Sequence, residues 1–167
     1  VSEAEYAKIE SDDNYIKMYR GFRRNADENV HNFLYGKLYE GEGAYGNGSY
    51  FSVNKNVSLS SYVENRNEKH LISAAFDKSK VKIADFDELK ETFYRQREEN
   101  GMSTLWTKIK QSGISKDPLA CDILESKLRV YEEFGAWCTA QGYDIIYIKS
   151  EEFYVMLNRT ALVVKKM

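Results

Sequence analysis

Apolar residues along the chain change spacing from segment to segment, and the changes predict the elements. Residues 3–13 carry isolated apolar positions among charges and predict a short polar helix. Tyr15-Ile16-Lys17-Met18-Tyr19-Arg20 alternates and is rich in β-formers, which predicts a strand stopped by Gly21. Val30, Phe33, Leu34 and Leu38 recur at helical spacing over 28–40. A glycine-rich loop, Gly41 to Gly48, then leads into strand-like Ser49-Tyr50-Phe51-Ser52-Val53, and residues 55–64 predict a helix bearing Val57, Leu59 and Tyr62.

Further on, 71–76 and 81–84 predict two strands. Asp85 or Asp87 caps a helix carrying Leu89 and Phe93, which Gly101 ends. Leu105, Trp106 and Ile109 predict a short helix up to Gly113. Asp117-Pro118, a capping residue followed by proline at the first helical position, opens a helix whose apolar face runs through Leu124, Leu128, Tyr131 and Cys138 to Gly142. Residues 144–148, 153–157 and 160–164 predict three closely spaced strands, a meander. Strands at both ends with helices between them, not regularly alternating, give an α+β fold with a mixed or antiparallel sheet. The chain has no internal repeat, low-complexity tract or linker, so one domain over 1–167 is expected.

Composition narrows the chemistry. With 43% hydrophobic residues and a single Pro, the 167-residue chain has the makings of a core that needs no staples. Net charge is −2 with both signs mixed, and no basic stripe favours nucleic acid as a tight partner. Cys121 and Cys138 lie far apart along one predicted helix, which argues for small buried hydrophobes over a disulfide. His31 and His70 stand without any metal-ligand spacing, so no metal site is expected. No stretch approaches 18 apolar residues and no signal-peptide pattern opens the chain, so no membrane partner is expected.

Gly41-Glu42-Gly43-Ala44-Tyr45-Gly46 formally matches the dinucleotide fingerprint G-x-G-x-x-G. A helix precedes it and a strand follows, the reverse of what that fingerprint requires, so it is a decoy. The next segment is more informative. Gly46 and Gly48 permit tight turning beside a ligand, Tyr50 begins a strand, and Tyr62 sits on the helix behind it. Two readings stand on residue types alone: tyrosines sandwiching a flat ring, or a glycine turn beside two core tyrosines.

Gly46-Asn47-Gly48-Ser49-Tyr50-Phe51-Ser52, with serine and tyrosine eight to twelve residues beyond, resembles the NAD-binding core of the ADP-ribosyltransferases. The poly(ADP-ribose) polymerase branch reads Gly-x-Gly-Ile-Tyr-Phe-Ala there, then Ser-x-x-Tyr. Tyr19-Arg20-Gly21 is similar to the first-strand Arg-Gly of the bacterial toxin branch, and the resemblance takes in 140–146 and 152–162. The pieces follow the family's order and span residues 19–162.

The resemblance implies two small, mostly antiparallel sheets around an NAD cleft with flanking helices. It implies a catalytic set Arg20–Tyr50–Glu152 and an NAD site of Arg20, Gly21, Tyr50, Phe51, Ser52, Ser58 and Tyr62. Breaking the nicotinamide–ribose bond passes through an oxocarbenium-like centre, which needs a carboxylate beside the ribose, and Glu152 is that candidate. Arg20 would supply a planar donor fork for phosphate or ribose oxygens, Gly21 its backbone groups for the nicotinamide amide, and Tyr62 the stacking ring. Outside the resemblance, Arg20 is also readable as a strand-end surface arginine, and the Glu151–Glu152 pair as an exposed loop end.

The set is a hybrid, with Arg where one branch has His and Tyr where the other has Ser. Ser58 and Ser60 compete for one role. Ser150, two residues before Glu152, replaces the first Glu of the arginine-modifying toxins' Glu-x-Glu and puts an arginine acceptor in doubt. The implied activity is NAD-dependent transfer of ADP-ribose, mono rather than poly, to a macromolecular acceptor such as a host protein, in the cytoplasm or in a target cell's cytoplasm after delivery. An NAD glycohydrolase of the same fold, or a non-catalytic module of a larger phage or toxin protein, is the alternative.

Overall fold

The computed structural model of the chain describes residues 1–35, 48–101 and 133–166. Five α-helices occur there: α1 (Glu3–Glu10), α2 (Ala26–Tyr35), α3 (Lys55–Tyr62), α4 (Phe86–Glu99) and α5 (Phe134–Ala140). The strands are β1 (Tyr15–Gly21), β2 (Ser49–Ser52), β3 (Leu71–Asp77), β4 (Ile83–Asp85), β5 (Ile145–Ile148), β6 (Phe153–Met156) and β7 (Val163–Val164). The fold is α+β with a mixed sheet in the order β4-β5-β6-β2-β1-β3-β7. Among the described strands only the β4–β5 pair is parallel. The glycine loop 41–47, Leu38, the Leu105–Gly113 helix, the Asp117-Pro118 start and Cys121 lie outside the described residues.

Local chemistry accounts for the helix starts. Ser2 and Glu5 form a reciprocal capping box at α1, satisfying two of its orphan donors. Asn54 accepts from the amides of Asn56 (2.9 Å) and Val57 (3.3 Å) to open α3. Asp85, not Asp87, caps α4, accepting from the amides of Asp87 (2.9 Å) and Glu88 (3.2 Å).

Three expectations change. The strands do not separate into two sheets. They form one connected sheet whose narrowest join is the single β1–β2 pair Tyr19↔Ser52, whereas β1 and β3 share seven pairs. The closing meander is also broken. The Asn158 side chain accepts from the amide (3.1 Å) and hydroxyl (2.6 Å) of Thr160, bending Arg159–Ala161 into a 3-10 turn. The chain then crosses to the far edge, where β7 pairs with β3. Third, the helix expected to run to Gly142 does not pass through Glu133, which is extended (φ −114°, ψ 123°), and α5 begins at Phe134. Phe134, Gly135, Trp137 and Cys138 are all buried in that short helix, so packing against its surroundings outweighs a continuous helical period.

The alternation of side chains divides the core between the two faces of the sheet. One face carries Met18, Phe51, Ile72, Phe76, Ile145 and Met156, clustered with Phe33 of α2. The other carries Ala84, Ile146, Ile148 and Val155, clustered with Phe93 of α4 and with Phe134 and Trp137 of α5. Helix α3 lies beside that second cluster, its Leu59 packing with Val63, Leu71 and Tyr19. Cys138 is fully buried in the second cluster, and burial pushes its thiol up to about 12, which removes it as a nucleophile at neutral pH.

Candidate functional site

Strand pairing assembles a site at the centre of the sheet. The register sets Ser49, Tyr50, Phe51 and Ser52 against Met156, Val155, Tyr154 and Phe153. Directly opposed residues of antiparallel strands share a face, so Tyr50, Ser52, Phe153 and Val155 point one way while Phe51, Tyr154 and Met156 point into the α2-side core. Tyr19, opposite Ser52, joins the first set, and Gly21 follows by alternation. Helix α3 covers this region and brings Ser58 and Tyr62.

A cavity of about 290 Å³ results, lined by Tyr19, Arg20, Gly21, Tyr50, Phe51, Ser52, Ser58, Tyr62 and Phe153. Its size is at the lower end for ligand pockets and suits a planar ring with a polar substituent. The rings of Tyr62 and Phe153 stand 6.4 Å apart, tilted by 59°. Tyr62 is 45% exposed, at the mouth.

The close seat of α3 depends on Gly21. A Cβ there would come within 2.7 Å of Val63 Cγ2, 2.8 Å of the Ser58 carbonyl oxygen and 2.9 Å of Tyr62 Cβ. These contacts are too short for any side chain, so glycine at this strand end lets the helix close over the pocket. The buried Ser58 hydroxyl donates to the Tyr19 carbonyl at 3.0 Å, tying helix to strand, and keeps acceptor capacity. Ser60 donates instead to the Asn56 carbonyl (2.7 Å) and is exposed, so Ser58 is the serine that meets the pocket. The Ser52 hydroxyl accepts from the Asn54 amide at 3.0 Å, beside the α3 cap, which leaves its proton to donate.

Arg20 lines the cavity, yet its guanidinium lies over the buried rings of Phe22 and Phe33, 5.2 and 5.7 Å from their centroids. It is thus an arginine held by stacking, not a loose surface cation.

Seven of the eight residues singled out from sequence meet here: Arg20, Gly21, Tyr50, Phe51, Ser52, Ser58 and Tyr62. Glu152 does not line the cavity. It is exposed, in the turn just before β6, with a left-handed backbone (φ 53°), and its carbonyl accepts from the Val53 amide at 3.2 Å. Its neighbour Glu151 is exposed in the same turn. The strand begins one residue later, so Phe153 looks into the pocket instead. Tyr19 and Phe153 were not singled out from sequence. The signal that finds both is alternation, counted from Gly21 and from Val155.

Among the described residues no cluster of three His, Cys, Asp or Glu side chains stands close enough to hold a metal, and no helix is long and apolar enough to cross a membrane. Compared with known protein families, curated proteins and solved structures, the chain finds no match.

Proposed function

We propose that the chain is an NAD-dependent ADP-ribosyltransferase domain whose central pocket receives the nicotinamide end of NAD. The observation that carries this reading is the convergence of Arg20-Gly21, Tyr50-Phe51-Ser52 and Ser58…Tyr62 on one cavity. These segments are separate in sequence and share no local reason to meet. Tyr62 and Phe153 supply flat apolar walls for a ring, and the hydroxyls of Ser52 and Ser58 supply a donor and an acceptor for its amide. The stacked guanidinium of Arg20 supplies fixed positive charge for ribose or phosphate oxygens.

In the reaction, the bond between ribose C1′ and the nicotinamide nitrogen breaks and its electron pair leaves with nicotinamide, cancelling the pyridinium charge. An acceptor oxygen or nitrogen bonds to C1′ and loses a proton. Glu152, one residue before Phe153 of the pocket lining, is the carboxylate assigned to draw the acceptor in and take that proton. Water in the acceptor's place gives ADP-ribose and a proton instead.

The test is nicotinamide release from NAD by the parent and by Glu152→Gln, with and without a cell lysate. Slow release by the parent, reduced about 10²-fold in the variant, is expected for loss of one catalytic carboxylate. Labelled lysate proteins mark a transferase, and release without labelling marks a glycohydrolase. Tight NAD binding with no release in either protein would replace the catalytic reading with that of a binding module.

A further inference from the structure

Strand β6 presents one side chain to the pocket at the place opposite Ser52, and that side chain is a phenyl ring. Glu152 stands one position earlier, exposed and in the left-handed region. Because side chains alternate along a strand, a one-residue offset decides which of two chemistries the ligand meets. Here the offset puts an aromatic wall where a carboxylate would have direct access to the ligand, and leaves Glu152 outside the cavity lining.

We infer that Phe153 sets whether bound NAD is held intact or cleaved, making this pocket one that retains its ligand and turns it over slowly. The inference rests on the NAD reading above. Cleavage builds positive charge on ribose C1′ and the ring oxygen as the electron pair departs with nicotinamide. A carboxylate facing that charge stabilises it strongly. A phenyl face offers only the weaker attraction of its quadrupole. The same ring packs against Tyr62, with centroids 6.4 Å apart and tilted by 59°, so a planar heterocycle would stack on an open ring face and not between the two. Phe153 thus adds to retention of the ring while withholding charge from the bond.

Three substitutions in the full chain test this: Phe153→Glu, Phe153→Leu and Phe153→Tyr. With NAD saturating, Phe153→Glu is expected to release nicotinamide at least about 10²-fold faster than the parent. Phe153→Leu is expected to weaken nicotinamide binding about tenfold, measured by calorimetry, whereas Phe153→Tyr keeps it within about twofold because the ring is retained. A Phe153→Glu protein that binds NAD and is no faster than the parent overturns the inference. If that variant does not fold, the binding pair decides: affinity unchanged in Phe153→Leu, or equally weak in Phe153→Tyr, overturns it as well. A parent that binds neither NAD nor nicotinamide is a different failure, since it removes the NAD reading on which this one stands.

Discussion

The two ends of the sheet face covered by α3, α4 and α5 are held together by different means. At the α4–α5 end the contacts are aromatic and redundant. Phe93 meets Phe134 and Trp137 at 5.6 Å, Phe86 meets Phe134 at 5.2 Å, and Trp137 adds a hydrogen bond to Gln96 at 3.1 Å. At the α3 end a small apolar cluster of Leu59, Val63 and Leu71 is joined by contacts that each have no substitute: the absent side chain of Gly21, the Ser58–Tyr19 bond and the Asn54 cap. Area burial holds the first region, and stereochemical fit holds the second. An end built on area is well suited to carrying stability. An end built on fit can leave a cavity open beside it, because its helix is placed by a few exact contacts and not by filling space.

Removing a central ring from the aromatic end separates the two regions most severely. Phe93→Ala is expected to lower stability by about 3–5 kcal/mol, read as a fall in denaturation midpoint, while nicotinamide affinity below the melting range stays at the parent value. Gly21→Ala should behave in the opposite sense. Its methyl group meets Ser58, Tyr62 and Val63 inside 3.0 Å, so α3 must lift. A smaller stability loss of about 1–3 kcal/mol is expected, with nicotinamide affinity falling more than tenfold in the same calorimetric titration. If instead both variants lose stability and binding in proportion, the two ends are one cooperative unit and the distinction fails. Ser58→Ala makes the finest cut. Losing a single hydroxyl bond to the Tyr19 carbonyl should cost about 1 kcal/mol and weaken binding several-fold, and Ser60→Ala, away from the pocket, should leave binding unchanged.

Much of the site was legible before any strand was paired. Arg20, Gly21, Tyr50, Ser52, Ser58 and Tyr62 sit in segments whose strand or helix character follows from local spacing, and all reach the cavity. Glu152 stands outside the cavity lining for a physical reason. It belongs to the turn before β6, where a left-handed backbone and not strand alternation sets its direction. Phe153 inherits the inward place. Arg20 lines the cavity, but its packing over Phe22 and Phe33 was not visible from sequence, because Phe33 arrives from a different element.

The division between what the chain encodes locally and what it does not is now specific. The sequence by itself determined the α+β character, the helical nature of 55–62, a helix start at Asp85 or Asp87, and the strand natures of 15–20 and 153–156, because caps and alternation act over a few residues. Only the tertiary structure decided that the seven strands form one sheet joined through Tyr19↔Ser52, that β7 leaves its expected neighbours for β3, that α5 begins at Phe134, and that a phenyl ring faces the pocket. Those outcomes depend on pairing and packing between residues distant in sequence, whose energies no local pattern contains.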